Sequence, residues 1–255
     1  MTDETERALH ALKLPGMANC WTSLHETHQL DKLSLRDGIQ LMLQAERDKR
    51  ECNHIARLIK NAGFRNKATL EELEVDTVRG IPAAKAAELG TCEYIEQGMT
   101  IIITGPAGTG KSYFAQALGE RACRLNYKTM YFTMNKLAEA LKLARLEGRE
   151  VNFFKKLANQ DLLIIDDIGM SKIQGDLQND FEQIIDDRYH DKALILCSQL
   201  PVADYYGLFQ SELIAEACLD RIVHKPLRFQ LAGDSLRKKK KKKDRSIDLN
   251  VELKH

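Results

Sequence analysis

Residues 100–118 read TIIITGPAGTGKSYFAQAL, and the reading of this stretch decides the fold. Ile101, Ile102 and Ile103 make a short apolar, β-branched run of the kind that forms a strand buried on both faces. Residues 113–125 are apolar at helical spacing. Between strand and helix, residues 105–112 (GPAGTGKS) fit G-x-x-x-x-G-K-S/T at every fixed position. Gly105, Gly108 and Gly110 let the backbone curl so that successive N–H groups converge on phosphate oxygens at the positive end of the helix. Pro106, Ala107 and Thr109 complete the cradle, with Tyr113 in the first helical turn. Lys111 reaches the outer phosphates as a point charge, and Ser112 offers its hydroxyl to Mg2+. The expected ligand is a nucleoside triphosphate.

Such a site needs a carboxylate for the metal at the end of a neighbouring strand. Residues 162–165 (LLII) form that strand, and Asp166 and Asp167 follow it directly. Asp166 is the expected metal-side carboxylate, acting directly or through coordinated water, and Asp167 the candidate to polarise an attacking water. Further strand-like runs at 129–133, 194–198 and 227–231 alternate with helix-length segments, which predicts an α/β fold with a parallel sheet covered on both faces. Residues 82–97 read as a short helix, with Pro82 in its first turn and Gly98 ending it.

Ahead of this block the pattern is helical and polar. Residues 35–61 read as one long helix with an apolar stripe at Leu41, Ala45, Cys52, Ile55, Ile59 and Ala62. Arg47, Arg50, His54 and Arg57, spaced 3, 4 and 3, share a second face. That face is either a phosphate contact or a solvated surface balanced by Glu46, Asp48 and Glu51. The irregular, acidic connector at 64–78 sets the expected organisation: a helical N-terminal domain at 1–66, a nucleotide-binding domain at 67–237 and a basic tail at 238–255.

A chain of 255 residues, 44% hydrophobic and 29% charged, buries a self-sufficient core. Its longest apolar run is five residues, 193–197, against the roughly 20 that span a bilayer. The acidic start MTDETERALH lacks the apolar stretch of a secretory signal, and the six cysteines show no C-x-x-C, so reduced thiols and a cytoplasmic location are expected. The seven histidines have no ligand spacing with cysteines, which argues against zinc. The formal charge of +1 hides an asymmetry: residues 221–245 hold 11 Lys and Arg against 2 Asp and Glu. Seven consecutive cations run from Arg237 through Lys238, Lys239 and Lys240 to Lys243, either a solubilising tail or a contact for a polyanion.

With the phosphate loop and the LLIIDDIG strand in place, the chain resembles the AAA+ ATPases of the initiator and helicase-loader group, and within it the IstB-type helper ATPases of insertion-sequence transposition. The resemblance covers almost the whole chain: LKLPGMANCW, LQAERDKRECNHIARLIKNAGF, TCEYIEQG, GPAGTGKSYFAQALG, LANQDLLIIDDIG, DDRYHDKALILCSQLP, CLDRIVHKP and GDSLRK. It implies a AAA+ P-loop NTPase with a five-stranded parallel sheet between helices and a truncated C-terminal lid, preceded by a small all-helical domain. It implies hydrolysis of ATP with Mg2+. By motif, Ser198 or Gln199 falls at sensor I, with Gln199 preferred. Arg221 matches the arginine finger given to the adjacent subunit's ATP, and Arg237 matches sensor II on its own nucleotide. Residues 127–148 correspond to a helical insertion facing DNA, with Lys136, Lys142, Arg145 and Arg149 as its cations.

The resemblance further implies an ATP-dependent homo-oligomer or filament on duplex DNA. It would grip phosphates through Arg47, Arg50, Arg57, the insertion cations and Lys238, Lys239 and Lys240, and deform the duplex for a cognate transposase. Two departures stand out: Asp167 occupies a position where most AAA+ proteins have Glu, and only 34 residues follow Arg221. A DnaC-type replicative helicase loader shares the core and is the rival function; preference for duplex over single-stranded DNA separates the two. Arg188 in DDRYHD also matches a family position, with no direction assignable from sequence. If the lysine run contacts phosphate, truncation after Arg237 should weaken duplex binding uniformly across sequences. It should flatten the salt dependence by about one unit of slope per contacting cation, measured by equilibrium binding over a salt series.

Overall fold

The computed structural model describes residues 4–73 and 76–236; Arg237, Lys238, Lys239 and Lys240 lie outside the described residues. The chain divides into two compact units, one ending at Arg57 and the other beginning at Leu58. The division falls inside a helix and not at 66/67, where the connector's composition had put it. The physical reason lies in the connector's first residues: Arg65 and Asn66 donate their backbone N–H to Gln116 Oε1 at 2.7 and 3.0 Å, which ties them to the nucleotide-binding unit.

In the first unit, α1 (Glu4–Ala11), α2 (Pro15–Glu26) and a 3-10 turn (Leu30–Lys32) precede α3 (Leu35–Ala62). Pro15 opens α2 because its missing N–H costs nothing in the first turn. Glu46 of α3, almost fully buried, accepts from the N–H groups of Gly16 (2.7 Å) and Met17 (3.3 Å) at the start of α2 and from Arg50 Nε at 2.7 Å. The contact needs Gly16, since a Cβ there would stand 2.4 Å from the carbonyl oxygen of Ala45. The expected apolar stripe of α3 is only partly covered. Ala62 is buried and Ile55 and Ile59 are half-buried, whereas Leu41 is 46% exposed and Cys52 is exposed. The short helices α1 and α2 pack chiefly on each other and leave these positions open.

In the second unit the segment read as one helix over 82–97 is two: α4 (Ala83–Leu89) and α5 (Glu93–Glu96), broken by Gly90 and by Cys92 in the left-handed region at φ 62°. Then come β1 (Thr100–Thr104), α6 (Lys111–Arg124), β2 (Thr129–Thr133), α7 (Met134–Leu146), α8 (Glu150–Ala158), β3 (Leu162–Ile168), α9 (Asp176–Asp186), β4 (Ala193–Ser198), a 3-10 segment (Val202–Leu208), α10 (Glu212–Val223) and β5 (Leu227–Gln230). The segment expected to be a helical insertion at 127–148 is therefore strand β2 followed by helix α7. The strands form one sheet in the order β2-β3-β4-β1-β5, every pair parallel.

Alternation along the strands splits the core between the two faces. Ile102, Leu163, Ile165, Leu194 and Leu196 pack with Leu137, Phe181 and Ile184 on one side; Ile101, Ile103, Ile164, Ile195 and Cys197 pack with Phe114, Leu118 and Ala122 on the other. Gly119 lets α6 lie close on β3: a Cβ there would come within 2.7 Å of Ile164 Cδ1 and 2.8 Å of the Phe64 ring. Among the described residues no helix is long and apolar enough to cross a membrane. Cys92, Cys123, Cys197 and Cys218 are buried, and burial pushes their thiols up.

Arg188, whose direction the sequence left open, points into the protein and is 2% exposed. Its guanidinium donates to the carbonyls of Leu157 (3.0 Å), Gln160 (3.1 Å), Asp161 (3.4 Å) and Ala193 (2.6 Å), bolting the end of α8 to the starts of β3 and β4. Burial lowers its pKa to about 10, so it stays charged at neutral pH. Arg188→Met should leave these carbonyls unsatisfied and cost about 3 kcal/mol. That corresponds to a fall in Tm of about 6–12 °C for a domain of this size, read by thermal denaturation.

Candidate nucleotide site

The loop between β1 and α6 carries out the conformation its glycines allow. Gly105, Gly108 and Gly110 have φ of 146°, 84° and 101°, and Gly110 sits at the N-cap of α6. A Cβ at Gly105 would meet the Leu231 carbonyl oxygen at 2.2 Å, and one at Gly108 would meet Ser235 Oγ at 2.3 Å. The segment after β5 closes over the loop: Leu231 N–H donates to Thr104 O at 2.7 Å and Leu236 N–H to Gly108 O at 3.0 Å. Thr109 Oγ1 donates to Pro106 O at 2.9 Å, next to Ala107. Lys111, only 7% exposed, opens α6 and points Nζ back along the loop, donating to Gly105 O at 2.7 Å and Pro106 O at 2.9 Å. Ser112 and Tyr113 follow in the first turn, and the Tyr113 hydroxyl donates to Glu72 at 3.0 Å.

The carboxylates arrive from β3, which continues through both aspartates to Ile168, beyond the 162–165 run that the apolar pattern marks. A register irregularity between Ile165 and Ile168 interrupts its pairing with β4, and such bulges re-aim side chains beside sites. Asp166 is 1% exposed; its Oδ2 accepts from the Tyr131 hydroxyl at 2.7 Å and its Oδ1 from the Asp167 N–H at 2.8 Å. Asp167 takes a left-handed φ of 59° and turns outward, with Arg65 Nη1 at 3.8 Å from its Oδ2. Ser198, at the end of β4 and in register with Thr104, is fully buried; its Oγ donates to Ile168 O at 2.7 Å and accepts from Leu200 N–H at 3.0 Å. Gln199 is exposed, with Nε2 at 3.3 Å from Met170 Sδ.

Lys111, Ser112, Asp166, Asp167, Ser198 and Gln199 thus gather at the C-terminal strand ends. Arg221 does not. It lines a cavity with Thr100 and Leu194, at the N-terminal ends of β1 and β4, about 13 Å of strand away from the loop. It pairs with Asp186 at 2.6 Å, not with the adjacent Asp220, and donates to Ala217 O at 2.9 Å. Of the proposed DNA cations, Arg47, Arg57, Lys136 and Lys142 are exposed. Arg50 is engaged by Glu46 and Arg149 by Glu147. Arg145 bonds Glu150, Asp176 and Asp180, so its guanidinium ties α7 to α8 and α9. Two residues beside the acidic pair escaped sequence reasoning. Tyr131 showed only as part of a strand, its signal a hydroxyl within the apolar MYF run, and Arg65 lay in a segment without periodicity.

Loop, acidic pair and strand order define a P-loop nucleotide-binding fold. The chain belongs to the IstB-like ATP-binding protein family, whose sequence profile matches residues 7–244. An insertion sequence ATP-binding protein of Sinorhizobium fredii is 32% identical over 92% of this chain and 96% of its own length. The IS1162 ATP-binding protein of Pseudomonas fluorescens is 35% identical over 79% of this chain and 87% of its own. Two solved structures share the fold. The replication initiator DnaA bound to AMPPCP and single-stranded DNA matches with TM-score 0.55 and 23% identity over 68% of this chain, which spans about half (52%) of that one. The DnaC helicase loader matches with TM-score 0.53 and 18% identity over 65% of this chain and 97% of that one.

Burial, then the Asp166 charge and hydrogen bond, hold the Tyr131 phenol well above its usual range. A folded pKa raised above the unfolded value near 10 gives stability that is complete below pH ~10 and is lost as pH rises through the folded value. Tyr131→Phe should therefore cost about 1.5–3 kcal/mol at pH 7. It should also flatten the alkaline decline of wild type, both measured by denaturant titration.

Proposed function

We propose that this ATPase is a helper of insertion-sequence transposition that assembles on duplex DNA when ATP is bound, deforms it, and presents it to a transposase. The names of its relatives supply the insertion-sequence setting. The observation that carries the assembly is the separation of Lys111 and Arg221 to opposite strand ends. A guanidinium there cannot serve its own nucleotide and suits one bound by a neighbour. Joining one strand end to the opposite end of the next copy is a heterologous contact, which makes rings or open helical filaments.

Within each site, Gly105 to Ser112 hold the triphosphate and Lys111 meets its outer charge. Mg2+ takes few protein oxygens beside phosphate and water, so the Ser112 hydroxyl and the Asp166 carboxylate suffice as its donor set. When bound, the ion neutralises phosphate charge. Asp167, turned outward at the rim, orients the attacking water, and Gln199 reports on the outer phosphate because Ser198 is committed to Ile168 and Leu200. Arg237 as an own-subunit sensor is supported by its neighbour Leu236, bonded to Gly108. Arg47, Arg57, Lys136 and Lys142 supply exposed cations for the duplex, joined by the lysines at 238–240.

The test is complementation. Arg221→Ala should bind ATP as a monomer yet hydrolyse it at least 100-fold more slowly on duplex DNA, and Lys111→Ala should fail to assemble. Mixed equally, the two should regain some turnover at the interfaces that join two intact halves. Wild-type hydrolysis by Arg221→Ala alone would refute the shared site.

A further inference from the structure

The cavity beside Arg221 has a chemistry of its own. It measures about 270 Å³ and opens at the N-terminal strand ends. Arg188, Lys192, Arg221, Lys225, His190 and His224 all line it, and no Asp or Glu among the described residues does. The nearest acid partners satisfy only two of these cations: Asp186 pairs with Arg221 at 2.6 Å and Asp161 with Lys192 at 2.8 Å. Arg188 is bonded to four neutral carbonyls, with the Asp161 charge nearby, so its guanidinium is held in place while its cation still faces the cavity. The result is a positive cavity.

Its walls are built, not incidental. The Tyr189, His190 and His224 rings lie with centroids 3.8–6.1 Å apart at its rim, one pair tilted and two edge to face. His190 and Lys225 hold left-handed φ of 72° and 52°, a conformation that L residues keep only where surrounding structure enforces it. The backbone of His190 is clamped by Gly98, where a Cβ would stand 2.4 Å from the His190 carbonyl oxygen. The volume is below the roughly 300–1,000 Å³ of clefts that enclose a whole small-molecule ligand. It suits the end of an anion presented from outside.

We infer that this cavity is a phosphate-receiving pocket in which His224 and Lys225 act with Arg221 on the terminal phosphates of a nucleoside triphosphate held by a second copy of the chain. The inference rests on the shared-site reading and extends it from one arginine to a preorganised cationic wall. Enclosure favours a nucleotide over a DNA phosphate, because the Arg188 and Arg221 guanidinium groups sit inward of the exposed His190, His224 and Lys225. Backbone phosphates of a duplex are met by cations that project from the surface.

The experiment compares His224→Gln/Lys225→Gln with Arg221→Ala, each alone and each mixed with Lys111→Ala, in the full-length protein. Both changed residues are exposed, and an unchanged Tm checks the fold. The double variant should bind a fluorescent ATP analogue like wild type, lose roughly tenfold in DNA-stimulated phosphate release, and recover on mixing as Arg221→Ala does. Wild-type turnover in the double variant overturns the pocket's role. So does a loss that mixing fails to restore while Arg221→Ala is restored; in either case the shared site survives. A matching loss of nucleotide-free duplex binding assigns the pocket to DNA phosphate and overturns the inference. If Arg221→Ala is not restored by mixing, the shared site fails and the pocket with it.

Discussion

Glycines at 105, 108 and 110 hold backbone angles that L side chains adopt only with strain, and at the first two any Cβ would collide with Leu231 or Ser235. That constraint orders much of the second unit. It lets the segment following β5 fold down on the loop, with Leu231 and Leu236 bonded to it, so the last strand of the sheet and the phosphate cradle are one assembly. It also fixes where α6 begins, which places Lys111 beyond the end of β1, the strand that lies between β4 and β5. The helix is then pulled onto β3 at Gly119, where only a hydrogen leaves room for Ile164 and Phe64.

The two aspartates show how adjacent carboxylates acquire different environments. Asp166 is enclosed and accepts hydrogen bonds from Tyr131 and from the next amide, so its orientation is set before any ligand arrives. Asp167, one residue on, leaves the regular pleat through a left-handed φ beside the β3–β4 irregularity and faces Arg65. A side chain one methylene shorter than Glu is thereby carried outward by backbone geometry. Fixed acceptors near a reacting phosphate need no reorganisation at the moment of reaction, which is where such sites gain most of their advantage.

What the sequence made legible was local. The phosphate loop and the LLII strand with its acids each declare themselves within a window of a dozen or so residues, and the helix expected over 35–61 within its own length. The features it hid depend on distant partners. Arg188 reaches carbonyls 27 to 31 positions upstream, Arg145 finds carboxylates 31 and 35 positions downstream, and Tyr131 meets Asp166 35 positions away. Charge alone could not tell Arg145, bound by three acids, from Lys142, which stays exposed. The helix expected over 82–97 breaks because Cys92 adopts a conformation its residue type rarely takes, as Cys92, Tyr94 and Ile95 all enter the core.

The opposed placement of the phosphate loop and the cavity beside Arg221 gives each copy a front and a back. Under the proposed sharing, an open row of copies is polar, and it always contains one fewer complete site than it has members. One terminal copy holds a nucleotide with no cation opposite, while the other presents an unmatched wall. Specific activity would climb with length, and the two tips would differ in how readily they add or shed a copy. Such a row can sense its own extent and direction along DNA without any additional component.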